Sequence, residues 1–321
     1  MEQLIFSLNA TIPVFLVMVI GYLLKVFHVV DDHFIKVLNS FNFKVTLPVL
    51  LFMDIAESDF YSVWDTKYVL FCFCATFLFI CAIWGGAALL YRDRTQLGEL
   101  VQASYRSSAA VLGIAFIQSI YGTSGMAPLM IIGSVPLFNI AAVLVLSLTG
   151  PKASGQDNSG NPDKHAFKKS LMGIITNPII LGILFGLIAS LLRISFPVMI
   201  SKTLNNIAKL ASPLALIGLG AGFEGRKALK ALKPTTIASI IKLIILPAVF
   251  LPLAIYLGFA GEKLVAILIM LGSPTTPSSY IMAKNMGHEG TLTSSTVLAT
   301  TFLSAITLTA WVFLLRYLGL I

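Results

Sequence analysis

Within an apolar run near the end of the chain stands Gly272-Ser-Pro-Thr-Thr-Pro-Ser-Ser-Tyr280. Pro274 and Pro277 each remove a helix hydrogen bond and clash with the preceding turn. The hydroxyls of Ser273, Thr275, Thr276, Ser278 and Ser279 can re-satisfy the freed backbone or bind a polar ligand. The plainer alternative is a kinked helix patched by its own hydroxyls. A second stretch, Ser104-Tyr-Arg-Ser-Ser-Ala-Ala-Val-Leu-Gly113, has the same small, polar character. It contains Arg106, whose forked guanidinium can hold a carboxylate bidentately, with Ser107 and Ser108 beside it. Arg106 could equally anchor the chain at a membrane surface. If both helices break, two half-helix N-termini, each with about half a positive charge and free N–H groups, point at mid-membrane. That chemistry suits an anion.

Other polar side chains stand within apolar runs. Lys44 and Lys209 each lie four residues before a proline, Pro48 and Pro213. Either is a functional cation within the membrane or a lysine that snorkels to the interface. Lys242 is expected to snorkel or to find an internal partner. Asn139, Thr300, Thr301 and Ser304 can coordinate a substrate or hydrogen-bond between helices. His28, His33, His165 and His288 fall in loops or at span ends and make no proton relay. Cys72, Cys74 and Cys81 share one apolar run without further soft ligands, so they read as packing or lipid-facing thiols and no metal site is expected.

The elements that position these residues follow from composition. Of 321 residues, 57% are hydrophobic and 11% charged, whereas soluble domains carry about 25% charged residues. The chain therefore reads as an all-α polytopic membrane protein. Spans of about 20 apolar residues fall at 4–27, 34–54, 67–91, 101–121, 126–149, 171–192, 203–223, 235–258, 263–284 and 291–317. The Gly, Pro, Ser and Asn-rich stretch 150–170 reads as a linker, dividing a first five-helix unit (1–149) from a second (171–321). Met1–Asn9 has no basic n-region, so the first span is expected to be retained. The net charge of +8 would point a soluble chain toward nucleic acid, but here it reports topology. Fourteen Lys and Arg cluster on one side and five on the other, which places the linker inside and both termini outside.

The two units repeat each other. At an offset of 165 residues Pro13 meets Pro178, Gly21 meets Gly186, Lys44 meets Lys209, and Pro48 meets Pro213. Gly122 meets Gly287 and Gly125 meets Gly290 at the same offset, and these glycines are candidate hinges. An odd number of spans per unit inverts the second copy, an arrangement typical of secondary transporters. Rival classes lack their signatures. There is no pair of mid-span Asp residues for an aspartyl protease. His-Glu-x-x-His and the phosphate-binding Gly-x-x-x-x-Gly-Lys-Ser/Thr are also absent. No filter motif marks a channel. An enzyme is not expected.

These residues resemble a known family. Pro13…Gly21-Tyr22 with Leu47-Pro48, Arg106-Ser-Ser108…Gly113, Pro136…Asn139, Pro274…Ser279-Tyr280-Ile-Met-Ala283 and Thr300-Thr301…Ser304 are similar to the auxin efflux carrier family over essentially the whole chain. The short linker is like that of its bacterial malate and malonate permease branch. The resemblance implies a bile-acid/sodium-symporter-like fold. Spans 1, 2, 6 and 7 would form a scaffold and spans 3–5 and 8–10 a transport core, with spans 4 and 9 broken and crossed. It implies an elevator-type carrier of a small organic anion such as malate, malonate or an auxin-like acid, in a bacterial inner membrane. It also implies a homodimer and leaves proton or sodium coupling open, with a sodium-coupled symporter as the alternative. On that layout Lys44 and Lys209 face the core and serve the substrate. No cofactor is implied. The chain departs from its bacterial relatives at Ser108, where Asn is common, and at Ala115, where Pro is common, which predicts a less interrupted span 4.

Overall fold

The computed structural model describes residues 13, 16–57, 65–91, 93, 95–109, 117, 120–121, 126–149 and 176–321. The linker 150–170, Gly122–Gly125 and the stretch holding Gly113 and Ala115 lie outside them. All regular structure among the described residues is helical. In chain order the helices are α1 (Leu16–Val26), α2 (Asp32–Ala56), α3 (Thr66–Leu90), α4 (Leu97–Tyr105), α5 (Ala127–Thr149), α6 (Pro178–Leu191), α7 (Val198–Ala221), α8 (Leu232–Tyr256), α9 (Glu262–Gly272), α10 (Ser278–Asn285) and α11 (Thr291–Tyr317). α2, α3, α5, α8 and α11 are long and apolar enough to cross a membrane. Leu89, Leu90, Phe302 and Phe313 stand on the outside, more than half exposed. Apolar surface on this scale fits lipid and not water.

Side chains cap several starts. Asp31 accepts from the Phe34 N–H (2.7 Å), Asp65 from that of Tyr68 (3.0 Å), and Asn177 from that of Ile179 (2.9 Å), which satisfies donors that have no intrahelical partner. The hydrogen bond from Lys263 (2.5 Å), together with that cap, holds the Asp65 carboxyl below its usual range. It ties the start of α3 to α9.

Two long helices carry the same local defect. Asn42–Thr46 in α2 and Ile241–Ile245 in α8 are π-helical, and each is followed by Leu-Pro, at Pro48 and Pro247. A proline has no N–H for the carbonyl four residues back, and the widened turn absorbs the misfit. In α8 that orphan is the Leu243 carbonyl, which accepts from the Trp311 indole N–H at 3.0 Å.

The helices pack in two groups, α1, α2, α6 and α7 in one and α3–α5 with α8–α11 in the other. Within the first group backbones nearly touch. A Cβ at Gly21 would lie 2.4 Å from the Ile217 carbonyl oxygen, and one at Gly186 would lie 2.9 Å from that of Phe52. Both members of these two contacts are related by the 165-residue offset. Helix α10 reaches across to the first group, where the Asn285 amide donates to the Asn39 carbonyl (3.1 Å) and Tyr280 packs over Gly222.

Close approach makes a sharp prediction. A Cβ at Gly220 would sit 1.9 Å from the Met18 carbonyl oxygen, whereas one at Gly85 meets nothing within 4 Å. Gly220→Ala is therefore expected to cost about 1–3 kcal/mol or more, by forcing α1 from α7. Gly85→Ala is expected to be neutral or slightly stabilising. Melting midpoints of the two purified variants check this.

Candidate functional site

Helix α4 stops at Tyr105 because Arg106 turns extended (φ −65°, ψ 135°). Ser107 and Ser108 continue outside the helix. Serines hydrogen-bond nearby backbone and so favour such breaks. The chain thus leaves the helix at Arg106–Ser108, upstream of Ala115. Helix α9 stops at Gly272, where Ser273 is extended (ψ 157°), as required of a residue before proline. The helix resumes at Ser278 after Pro277.

The two unwound segments cross and satisfy one another. The Ser108 N–H donates to the Pro274 carbonyl (2.9 Å). The Thr275 hydroxyl donates to the Ala103 carbonyl near the end of α4 (2.8 Å), and the Ser107 hydroxyl to the Met270 carbonyl near the end of α9. Each broken helix has a terminal carbonyl capped by a hydroxyl from the other. The Thr275 N–H donates to the Thr300 hydroxyl (3.0 Å), and the Gln102 amide to the Ser279 carbonyl (3.1 Å). The first braces the crossing on α11, and the second joins α4 directly to α10.

Arg106 is 3% exposed. Its guanidinium donates to the Asn139 Oδ1 (2.7 Å), the Ser278 Oγ (3.0 Å) and the Met282 sulfur. All three partners are neutral, and among the described residues no carboxylate lies within ion-pair distance of it. A partly open cavity lies against it. One wall carries Arg106, Ser107, Ser108, Asn139, Thr276, Pro277 and Ser278, with Val135 and Phe138. The facing wall is Leu47, Leu50, Leu51 and Asp54 of α2, Ile179 of α6, and Ala211, Ser212 and Ala215 of α7. The cavity therefore lies between the two helix groups.

Ser273, Thr275, Ser279 and Thr301 are buried but do not line the cavity. Thr275 holds the crossing, and the Thr301 carbonyl accepts from the Ser304 hydroxyl (2.9 Å). Lys44 and Lys209 correct the expectation that they face the core, since both are exposed and neither lines the cavity. In α2 the buried side is Asn42, Phe43, Thr46 and Leu47, and in α7 it is Ala208, Ala211 and Ala215. Both lysines fall outside those stripes.

Two residues emerge that patterning passed over, Asp54 and Glu99, and Lys242 takes the internal partner that is one of the two expectations stated for it. Lys242 is fully buried and donates to the Ser107 hydroxyl and to the Met270 and Leu271 carbonyls, so it does not snorkel. Its signal was a lone lysine in an apolar span. Asp54, near the end of α2, stands on the cavity wall. Glu99, in the first turn of α4, is 1% exposed. It accepts from the Gly290 and Thr293 N–H groups (2.8 and 3.0 Å) and the Thr293 hydroxyl (2.9 Å), capping α11 where the positive helix end favours a carboxylate. Gly287 and Gly290 both have positive φ, and between them they form the turn joining α10 to α11.

The model of the family described as membrane transport protein matches residues 6–312. The chain belongs to that family. It is a membrane transporter, as the auxin efflux carrier resemblance implied. One relative is an uncharacterized transporter of Methanocaldococcus jannaschii, 22% identical over 309 residues, covering 95% of this chain and 97% of that one. An uncharacterized transporter of Escherichia coli K12 is 23% identical over 319 residues (98% and 99%). A protein of Rhizobium meliloti named "Putative malonate transporter" is 25% identical over 291 residues (87% and 86%).

The crossing of this transporter depends on hydroxyl-to-carbonyl bonds, which single substitutions test. Thr275→Val keeps the shape and leaves the buried Ala103 carbonyl unpaired, at an expected cost of about 1–3 kcal/mol. Thr275→Ser should recover most of it. Thermal midpoints in detergent read the difference.

Proposed function

We propose that this transporter carries a small organic anion whose carboxylate sits on Arg106, by alternating access at the crossing of the two broken helices. The observation that carries this reading is the buried guanidinium of Arg106, whose partners are all neutral and which faces a cavity. A buried charge without a counter-charge costs several kcal/mol, and an arriving carboxylate removes that cost through a charge-assisted fork. Asn139 and Ser278 hold the guanidinium in place, as the supporting groups of a preorganised site must.

The rest of the cavity narrows the substrate. With Lys44 and Lys209 outside it, Arg106 is the one cation among its lining residues. The remaining wall is mostly Leu47, Leu50, Leu51, Val135, Phe138 and Ile179, with Asp54 on the facing side. A monocarboxylate with an apolar body is complementary to this surface, while the second carboxylate of malonate or malate would meet leucines and Asp54. The group α3–α5 and α8–α11 acts as the moving core and α1, α2, α6 and α7 as the scaffold. The apolar, small-residue face of α7 supports sliding, and the offset-related contacts of Gly21 and Gly186 support two inverted units. The distribution of Lys and Arg supports outside termini.

Purified protein should be stabilised by phenylacetate or hexanoate at lower concentrations than by malonate. Arg106→Ala should abolish the response and Arg106→Lys should weaken it at least about tenfold, since a lysine loses the bidentate fork. Asp54→Asn should raise the response to malonate. Thermal-shift titration reads all three. Stabilisation by organic cations alone, or carboxylate responses untouched in Arg106→Ala, would overturn the reading.

A further inference from the structure

The anion site uses Arg106 and leaves the second buried cation, Lys242, without a task. Its ammonium lies at the π-segment of α8 and donates to the Ser107 hydroxyl, the Leu271 carbonyl and, at 3.3 Å, the Met270 carbonyl. No carboxylate among the described residues is within ion-pair distance. A lysine kept on neutral oxygens inside a membrane protein marks a functional need for its charge.

What it faces explains the need. The last carbonyls of α9 lack intrahelical donors because the chain turns extended at Ser273, and the helix end carries about half a negative charge. The Ile269 carbonyl takes the Ser273 N–H (3.1 Å), leaving those of Met270 and Leu271. Two carbonyls and a hydroxyl converging on one point make a donor set for a small hard cation, and half-helix C-terminal ends in transporters hold such ions. Both helix ends receive a hydroxyl, α4 that of Thr275 on Ala103 and α9 that of Ser107 on Met270, and the α9 end has the Lys242 ammonium in addition. At the 165-residue offset the partner of Lys242 is Phe77.

We propose that Lys242 is the resident cation of the crossing, a tethered ammonium occupying the place a dissociable alkali ion would take. The end of α9 is then neutralised permanently, and the segment bearing Arg106 and Ser107 is assembled without an ion from the medium. Sodium is not the coupling ion at this point of the fold. The inference rests on the crossing alone, so its test needs no carried anion.

The test is the melting midpoint of purified protein in sodium, potassium or choline chloride at constant ionic strength. The wild type should be indifferent to the swap. Lys242→Ala opens room among the three oxygens and should gain at least about 3 °C in sodium or potassium over choline, saturably, as for ligand binding to the native state. Lys242→Met fills the same space without charge and should be less stable than wild type and indifferent to the salt. Recovery of Lys242→Ala only from sodium or potassium buffer would also support the proposal. A saturable sodium response of the wild type would overturn it, as would a folded Lys242→Ala indifferent to all three salts. Should Lys242→Ala not be recoverable at all, the wild-type comparison decides.

Discussion

Backbone polar groups cannot be left open where there is no water, and this fold opens two helices in the middle of an apolar interior. Everything near the crossing answers that constraint. The end of α4 is closed by a hydroxyl from the chain leaving α9, and the end of α9 by a hydroxyl from the chain leaving α4. The two unwound segments share a backbone hydrogen bond between Ser108 and Pro274, Thr300 holds them to α11, and Gln102 of α4 ties directly to α10. Each bond alone contributes about 1 kcal/mol. Together they make a rigid knot from a sequence that would otherwise be two loops.

The polar knot belongs entirely to one helix group, and this division connects structure to transport. The facing wall, apart from Asp54 and Ser212, is leucine, isoleucine and alanine. A surface of that kind offers few directional bonds to break when the other group moves. The bonds that do cross, such as that from Asn285 to Asn39, lie at the end where α10 meets α2 and α7. On the alternating-access reading these are the contacts exchanged between states, while the knot and its cations travel intact.

Much of this was legible from residue types. The two polar stretches, the prolines, Arg106 and Asn139 could be found because hydroxyls and a guanidinium are conspicuous in apolar spans, and Pro274 dictates the extended Ser273. The 165-residue offset that marks the repeat in sequence also relates the close contacts of Gly21 and Gly186. Other features were hidden for physical reasons. Lys44 and Lys209 match in the repeat, but pairing by sequence does not say which way a side chain points. The face is set by π-helical widening before Pro48 and by the alanine stripe of α7. Glu99 looks like an ordinary span residue until the fold brings an open helix end to it, and the sequence names Lys242 without naming the oxygens it meets. Their partners are backbone groups up to 194 positions away, and a backbone group has no signature in sequence.

The central claim is that a carboxylate is held by Arg106 at the crossing. Its most direct test is solid-state NMR dephasing of [13C-carboxyl]phenylacetate by 15N-arginine in reconstituted protein. Among the described residues Arg106 is the one arginine at the crossing, so the account predicts strong dephasing at about 4 Å, the reach of a bidentate pair, and its loss in Arg106→Lys. A bound carboxylate that shows no dephasing in the wild type, or equal dephasing in Arg106→Lys, would contradict it.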